Sequence, residues 1–193
     1  MNQTNTLPTL AFAAQEDWEA WLDEHHTDTT GLWLKIAKRA TGTPSVTYAE
    51  ALESALCYGW IDGQKAAFDD AHWLQKFTPR RARSGWSRVN REKAMALIAA
   101  GKMRPAGLRE VERAQADGRW EAAYESQRAI TVPEDLQTAL DAQPVAKAFF
   151  ATLDSTNRYA VLYRIHTAKK PETRAARIQT FVEMLAQHRK IHP

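Results

Sequence analysis

The sequence has one cysteine, Cys57, in 193 residues. A lone thiol excludes an intrachain disulfide and fits a reducing compartment, so stability has to come from a buried core rather than from covalent staples. Nothing approaches the run of about eighteen apolar residues that a membrane-spanning helix needs. The start, MNQTNTLPTLAFAAQ, lacks the charged and long apolar regions of a secretory signal. The expectation is a cytoplasmic, soluble protein with no membrane insertion. Familiar catalytic patterns are also missing. There is no G-x-S-x-G, P-loop, G-x-G-x-x-G or H-E-x-x-H. His25 and His26 are adjacent, which is wrong for one metal on one helix face, and His188 and His192 stand at the chain end without a third ligand nearby. Neither a metal nor a cofactor is expected. Cys57 lies in an apolar helical stretch, where a thiol is inert.

What is present is unevenly spread. Hydrophobic residues make up 44% of the chain, enough for a packed core in one domain or a domain with a smaller appendage. Net charge is only +3, yet residues 1–30 hold six acids and no Lys or Arg, while Lys76 to Arg104 holds nine bases against the single acid Glu92. A second basic stretch, Arg158 to Lys190, has eight bases and two acids. Such blocks create local fields that attract anions whatever the total charge, although a basic run is also a common form of solvated face. No tryptophan follows Trp120, and the rest of the chain is rich in Ala, Arg and Leu. That shift predicts an α+β domain over 1–128 and a helical domain over 129–193.

In the first part, Trp18, Trp21, Leu22 and His25 recur at helical spacing. LWLKI alternates as a strand, and Thr47 with Glu50 forms a capping box that opens a helix, with Gly59 placed to end it. Asp69 and Asp70 are turn formers, which predicts an antiparallel hairpin from 60–68 and 72–78 in a sheet of at least three strands. Ser84 or Ser87 caps a helix running to Ala100, with Trp86, Val89, Ala94, Leu97 and Ile98 on one face. Pro105 to Asp117 reads as another helix. The last part reads as helices lined by Val145, Ala148, Phe149 and Leu153, and by Ile178, Phe181, Val182 and Leu185. The fold class is therefore α+β, a small antiparallel sheet flanked by helices, followed by a small all-α domain.

The segments SALCYGWIDGQ, KFTPRRARSGWSRVN, GKMRPAGLREVERAQADGRW and AKKPETRAARIQTFVEML together resemble the bacterial YdeI/OmpD-associated (bacteriocin-protection, OmdA-like) family. The resemblance spans nearly the whole chain. It implies that the last segment belongs to the family's small C-terminal helical domain, and that the protein serves stress tolerance, in the envelope or against bacteriocins or cationic peptides. A periplasmic location is sometimes implied for the family, and the start of this sequence departs from it.

The stretch from Trp60 to Asn90 combines Trp60, Trp73 and Trp86 with Asp62, Arg80, Arg81, Arg83 and Arg88. Aromatic planes with guanidinium groups can hold an anionic ligand, or they can brace a small sheet. Asp62 shares a strand face with Trp60, and the hairpin brings Arg80 close, so an Asp62–Arg80 pair either ties the sheet to the loop or orients a ligand. Asn90, one turn beyond Trp86, needs partners for its amide and bonds either the loop or a ligand. Ser87 is either a helix cap or a donor to an anion at the helix N-terminus. The expected site is Trp60, Asp62, Arg80, Arg81, Trp86, Ser87 and Asn90. The leading reading is a non-catalytic stress or bacteriocin-protection protein that binds a small anionic ligand or a partner peptide there. The alternatives are an enzyme using Asp62 in the same cleft, or a nucleic-acid-binding protein. No nucleic-acid motif supports the last, and the acidic first thirty residues oppose it.

Overall fold

The computed structural model describes residues 7–193. The chain divides into two compact units, one running to Trp86 and resuming over Asn90–Glu121, the other comprising Ser87–Val89 and Ala122–Pro193.

The first unit is built on strands β1 (Thr9–Leu10), β2 (Leu32–Ala37), β3 (Trp60–Ala67) and β4 (His72–Pro79) in the order β1-β2-β4-β3. The expected antiparallel core is there, with β4 between β2 and β3. The two-residue β1 adds a parallel edge to β2, which makes the sheet mixed. Alternation sets the faces. Leu32, Leu34 and Ile36 are buried, and the intervening Trp33, Lys35 and Ala37 are half-buried. At the tip of the hairpin Asp69 Oδ1 accepts from the backbone N–H of Ala71 and His72, at 2.8 and 2.6 Å. The β3–β4 register slips between Asp62 and Lys65. The buried amide of Gln75 donates to the carbonyls of Gly63 and Gln64, at 2.9 and 3.3 Å, and so holds the bulge.

Helices α1 (Gln15–His25) and α2 (Tyr48–Cys57) pack on the sheet. The capping box at Thr47 forms in both directions, Glu50 N donating to Thr47 Oγ1 and Thr47 N to Glu50 Oε2. Trp18 is fully buried and packs against Trp60 and Phe77, while its indole N–H donates to the Ala51 carbonyl at 3.1 Å. Helices α3 (Arg88–Ala99) and α4 (Pro105–Ala116) follow. Gly107 in α4 lies so close to the end of α2 that a Cβ there would meet the Cys57 carbonyl at 2.3 Å, so only glycine permits this approach. The expected face of α3 needs correction. Ala94 and Leu97 are buried, but Val89 and Ile98 are exposed.

The second unit holds α5 (Glu134–Asp141), α6 (Pro144–Thr152), α7 (Ser155–His166) and α8 (Pro171–Ala186) around an aliphatic core that includes Leu136, Leu140, Leu162, Ile165 and Leu185. On α8 the buried set is as expected: Ile178, Phe181, Val182 and Leu185. On α6 the buried stripe is Ala146 and Phe150, and Val145 and Ala148 face outward, one position out of step with the expected face. Asn157, itself buried, accepts from the backbone of Ile191 and His192 and so ties down the chain end.

Candidate functional site

β3 and β4 converge where Trp60 pairs with Pro79 and Arg80 N donates to the Gly59 carbonyl at 2.9 Å. The Trp60 ring stands edge-on to Trp18 and Trp21, at 6.2 and 5.8 Å, and its N–H donates to the His26 carbonyl. Its exposure is 0%. Trp60 is therefore corrected from a cleft wall to a core side chain, because alternation along β3 turns it inward.

Asp62 sits opposite Phe77 in the register and is half-buried. Its Oδ2 accepts from the hydroxyl of Tyr48 at 2.9 Å. The expected Asp62–Arg80 pair is replaced by this one, since the acid shares the inner sheet face with Phe77, on the side where α2 begins. Burial, and secondarily the Asp62 charge, push the Tyr48 hydroxyl well above the usual tyrosine range, which keeps it a neutral donor. Lys65 Nζ lies 5.5 Å from the Tyr48 ring and 5.0 Å from Trp73.

The arginine loop is a second neighbourhood. The Arg80 guanidinium stacks 3.6 Å from the centre of the Trp86 ring, and its Nη1 donates to the Gly85 carbonyl at 3.1 Å. Arg80 and Trp86 are 7% and 2% exposed. Both therefore serve as bracing, and the Trp86 ring is not an open platform. Its other contact is the edge of Trp120, 4.9 Å away. Arg91 donates to the Trp120 carbonyl and Arg119 to the Ser84 carbonyl, while Arg119 Nε also reaches both Asp117 oxygens at 2.8 Å. Arg81 and Ser84 close a tight turn through Arg81 N to Ser84 Oγ and Ser84 N to the Arg81 carbonyl. The side chains of Arg81 and Arg83 are left exposed on that turn.

Ser87 and Asn90 are both half-buried. Ser87 bridges to Tyr124 and clusters with the C-terminal unit, whereas Asn90 lies in the first turn of α3 within the N-terminal unit. Of the seven expected residues, Trp60, Arg80 and Trp86 form the support, Asp62 pairs elsewhere, Arg81 is displayed, Asn90 lies half-buried on α3, and Ser87 stands with the other unit. Sequence reasoning missed Tyr48, Arg119 and Trp120. Their contacts with Asp62, Ser84 and Trp86 span 14 or more residues of chain, beyond the reach of any periodicity.

Among the described residues, no group of three or more His, Cys, Asp or Glu could hold a metal, and no helix is long and apolar enough to cross a membrane. Fold and site thus define an α+β unit carrying a braced arginine loop, with an all-helical unit C-terminal to it. Residues 10–110 match a family described as "Domain of unknown function (DUF8412)", and residues 129–188 match the family described as "Bacteriocin-protection, YdeI or OmpD-Associated" (OmdA). The chain belongs to the DUF8412 family, whose match covers more than half of it, and carries an OmdA domain at residues 129–188, the family the motifs resemble. Neither curated proteins nor solved structures give a match.

Proposed function

We propose that this protein, which carries a bacteriocin-protection (OmdA) domain, is a non-catalytic stress or bacteriocin-protection type binder that takes an anionic group, carried on a small ligand or on an acidic segment of a partner peptide, at the arginine loop. One observation carries the reading: the Arg80–Trp86 stack fixes the loop from inside while Arg81 and Arg83 project from it. On a braced turn only the arginine side chains, and not the backbone, have to be ordered on binding, and the planar guanidinium fork suits carboxylate and phosphate. The engagement of Asp62 by Tyr48 supports a positioning role for the acid in preference to acid–base chemistry.

Calorimetric titration with tetraglutamate and with inorganic tripolyphosphate at low salt tests this. At least one should bind, more weakly as salt rises, and Arg81→Gln/Arg83→Gln should weaken it by about tenfold or more, which is about 1.4 kcal/mol. Failure of both anions to bind, or unchanged affinity in the double variant, would overturn the reading.

A further inference from the structure

A separate concavity lies in the N-terminal unit between α1, α2 and the segment that joins α3 to α4, with a volume of about 380 Å³. That is the size range of sites for small molecules. Its lining is divided by sign. Glu16, Glu19 and Glu53 come from α1 and α2, and Lys102 and Arg104 from the joining segment, with Ser54 and Cys57 also in the wall. Glu53 is already paired with Lys93 at 3.3 Å, so Glu19 is the principal acid facing the space.

Both halves are held in place. Ser54, 1% exposed, donates its hydroxyl to Glu19 Oε1 at 2.8 Å and accepts from Gln15 Nε2 at 2.9 Å; the same Gln15 amide donates to Glu19 at 3.2 Å. One Glu19 oxygen is thereby anchored. On the other side Arg104 N donates to the Cys57 carbonyl at 3.2 Å, and the guanidinium lies 5.8 Å from the Tyr58 ring. The close approach at Gly107 fixes α4, and with it Arg104 just before its first turn. The Cys57 thiol reports both fields at once. Burial first, then Glu19 and least Glu53, push it up, Arg104 and Lys102 pull it down, and the net result is a thiol raised to about 11. It stays protonated near neutral pH and serves as wall rather than nucleophile.

We propose that this concavity binds a small zwitterion of amino-acid or dipeptide size, its ammonium toward Glu19 and the neighbouring Glu16 and its carboxylate toward Arg104 and Lys102. A ligand of one sign would meet opposite charge on one side and like charge on the other, and only a molecule carrying both satisfies both. The site is independent of the arginine loop.

The test is a thermal-shift screen of the full chain against the twenty common L-amino acids and glycylglycine, followed by titration of the best binder beside two analogues, one lacking the carboxylate and one lacking the amine. At least one zwitterion should raise the unfolding temperature and bind about tenfold or more tighter than either analogue. Glu19→Gln and Arg104→Gln should each weaken it by about tenfold, while Arg81→Gln/Arg83→Gln leaves it unchanged. Should Glu19→Gln unfold through its Ser54 contact, Arg104→Gln, whose side chain is exposed, still decides. No stabilising zwitterion, an analogue that binds as well as its parent, or indifference to Arg104→Gln would overturn the proposal.

Discussion

The N-terminal unit buries indoles in its core, whereas the C-terminal unit packs mainly aliphatic chains with Phe150 and Phe181 and no indole, and the two cores are specified in different ways. In the first, Trp18 and Trp60 are wholly buried and each N–H is given to a named carbonyl, of Ala51 and His26. In the second, Leu136, Leu140, Val161, Leu162, Ile165 and Leu185 interlock by shape. A buried indole needs an acceptor as well as space, so polar atoms are drawn into the aromatic core and its walls become mixed. Aliphatic packing makes no such demand, and its specificity rests on volume. Both proposed sites lie on the unit whose core is held by directional bonds.

Truncation inside each core is the severest way to break this contrast. Trp18→Ala should cost about 3–5 kcal/mol, since Trp18 packs against Phe12, Trp21, Trp60 and Phe77 and bonds Ala51. Leu162→Ala should cost roughly 2–5 kcal/mol through its cavity alone. Urea unfolding measures both, and a loss for Trp18→Ala no larger than that of a surface change would end the contrast.

Keeping the ring sharpens it. Trp60→Phe leaves the His26 carbonyl without its donor, whereas the Trp86 N–H is buried with no acceptor among the described residues. Trp60→Phe should therefore lose about 1 kcal/mol more than Trp86→Phe in the same assay, and equal losses would mean that the indole bonds do not specify the core. Next in size is the partner of Asp62. In a double-mutant cycle Asp62→Asn and Tyr48→Phe should couple by about 1 kcal/mol, while Asp62→Asn and Arg80→Ala should add to within about 0.5 kcal/mol. The reverse pattern would restore the Asp62–Arg80 pair.

The sequence carried most of the fold in local signals. Alternation in LWLKI, the capping box at Thr47 and the aspartates after Ala67 each act within a few residues, and each formed as expected. β1 was not legible because two residues cannot show a period. Apolar identity alone does not fix helix phase: the pattern places Val145 and Ile98 on buried faces, and the structure exposes them at 48% and 39%. At the site, the aromatic and basic composition was visible, but which ring faces inward depends on partners distant along the chain. Tyr48 reached Asp62 first, and Trp120 lies against Trp86.

The smallest expected effect is on the helical side. Arg174 bonds both oxygens of Asp135, and these bonds, first among the causes, hold the Asp135 carboxyl below its ordinary value. A carboxylate depressed in the folded state contributes stability that is present above its unfolded value of about 3.9 and is lost as pH falls through the lower folded value. Because the pair is largely exposed the amount is less than about 1 kcal/mol. Arg174→Gln should flatten the stability profile below about pH 4; an unchanged profile would remove the pair from the account.

Whether the tryptophan of the arginine loop is brace or platform is decided most directly by the urea midpoint of Trp86→Ala, measured beside Arg81→Gln/Arg83→Gln. The expected result is a loss of about 3–5 kcal/mol for Trp86→Ala and a change within about 0.5 kcal/mol for the exposed arginines. A wild-type midpoint in Trp86→Ala would place the ring in solvent and contradict the braced loop.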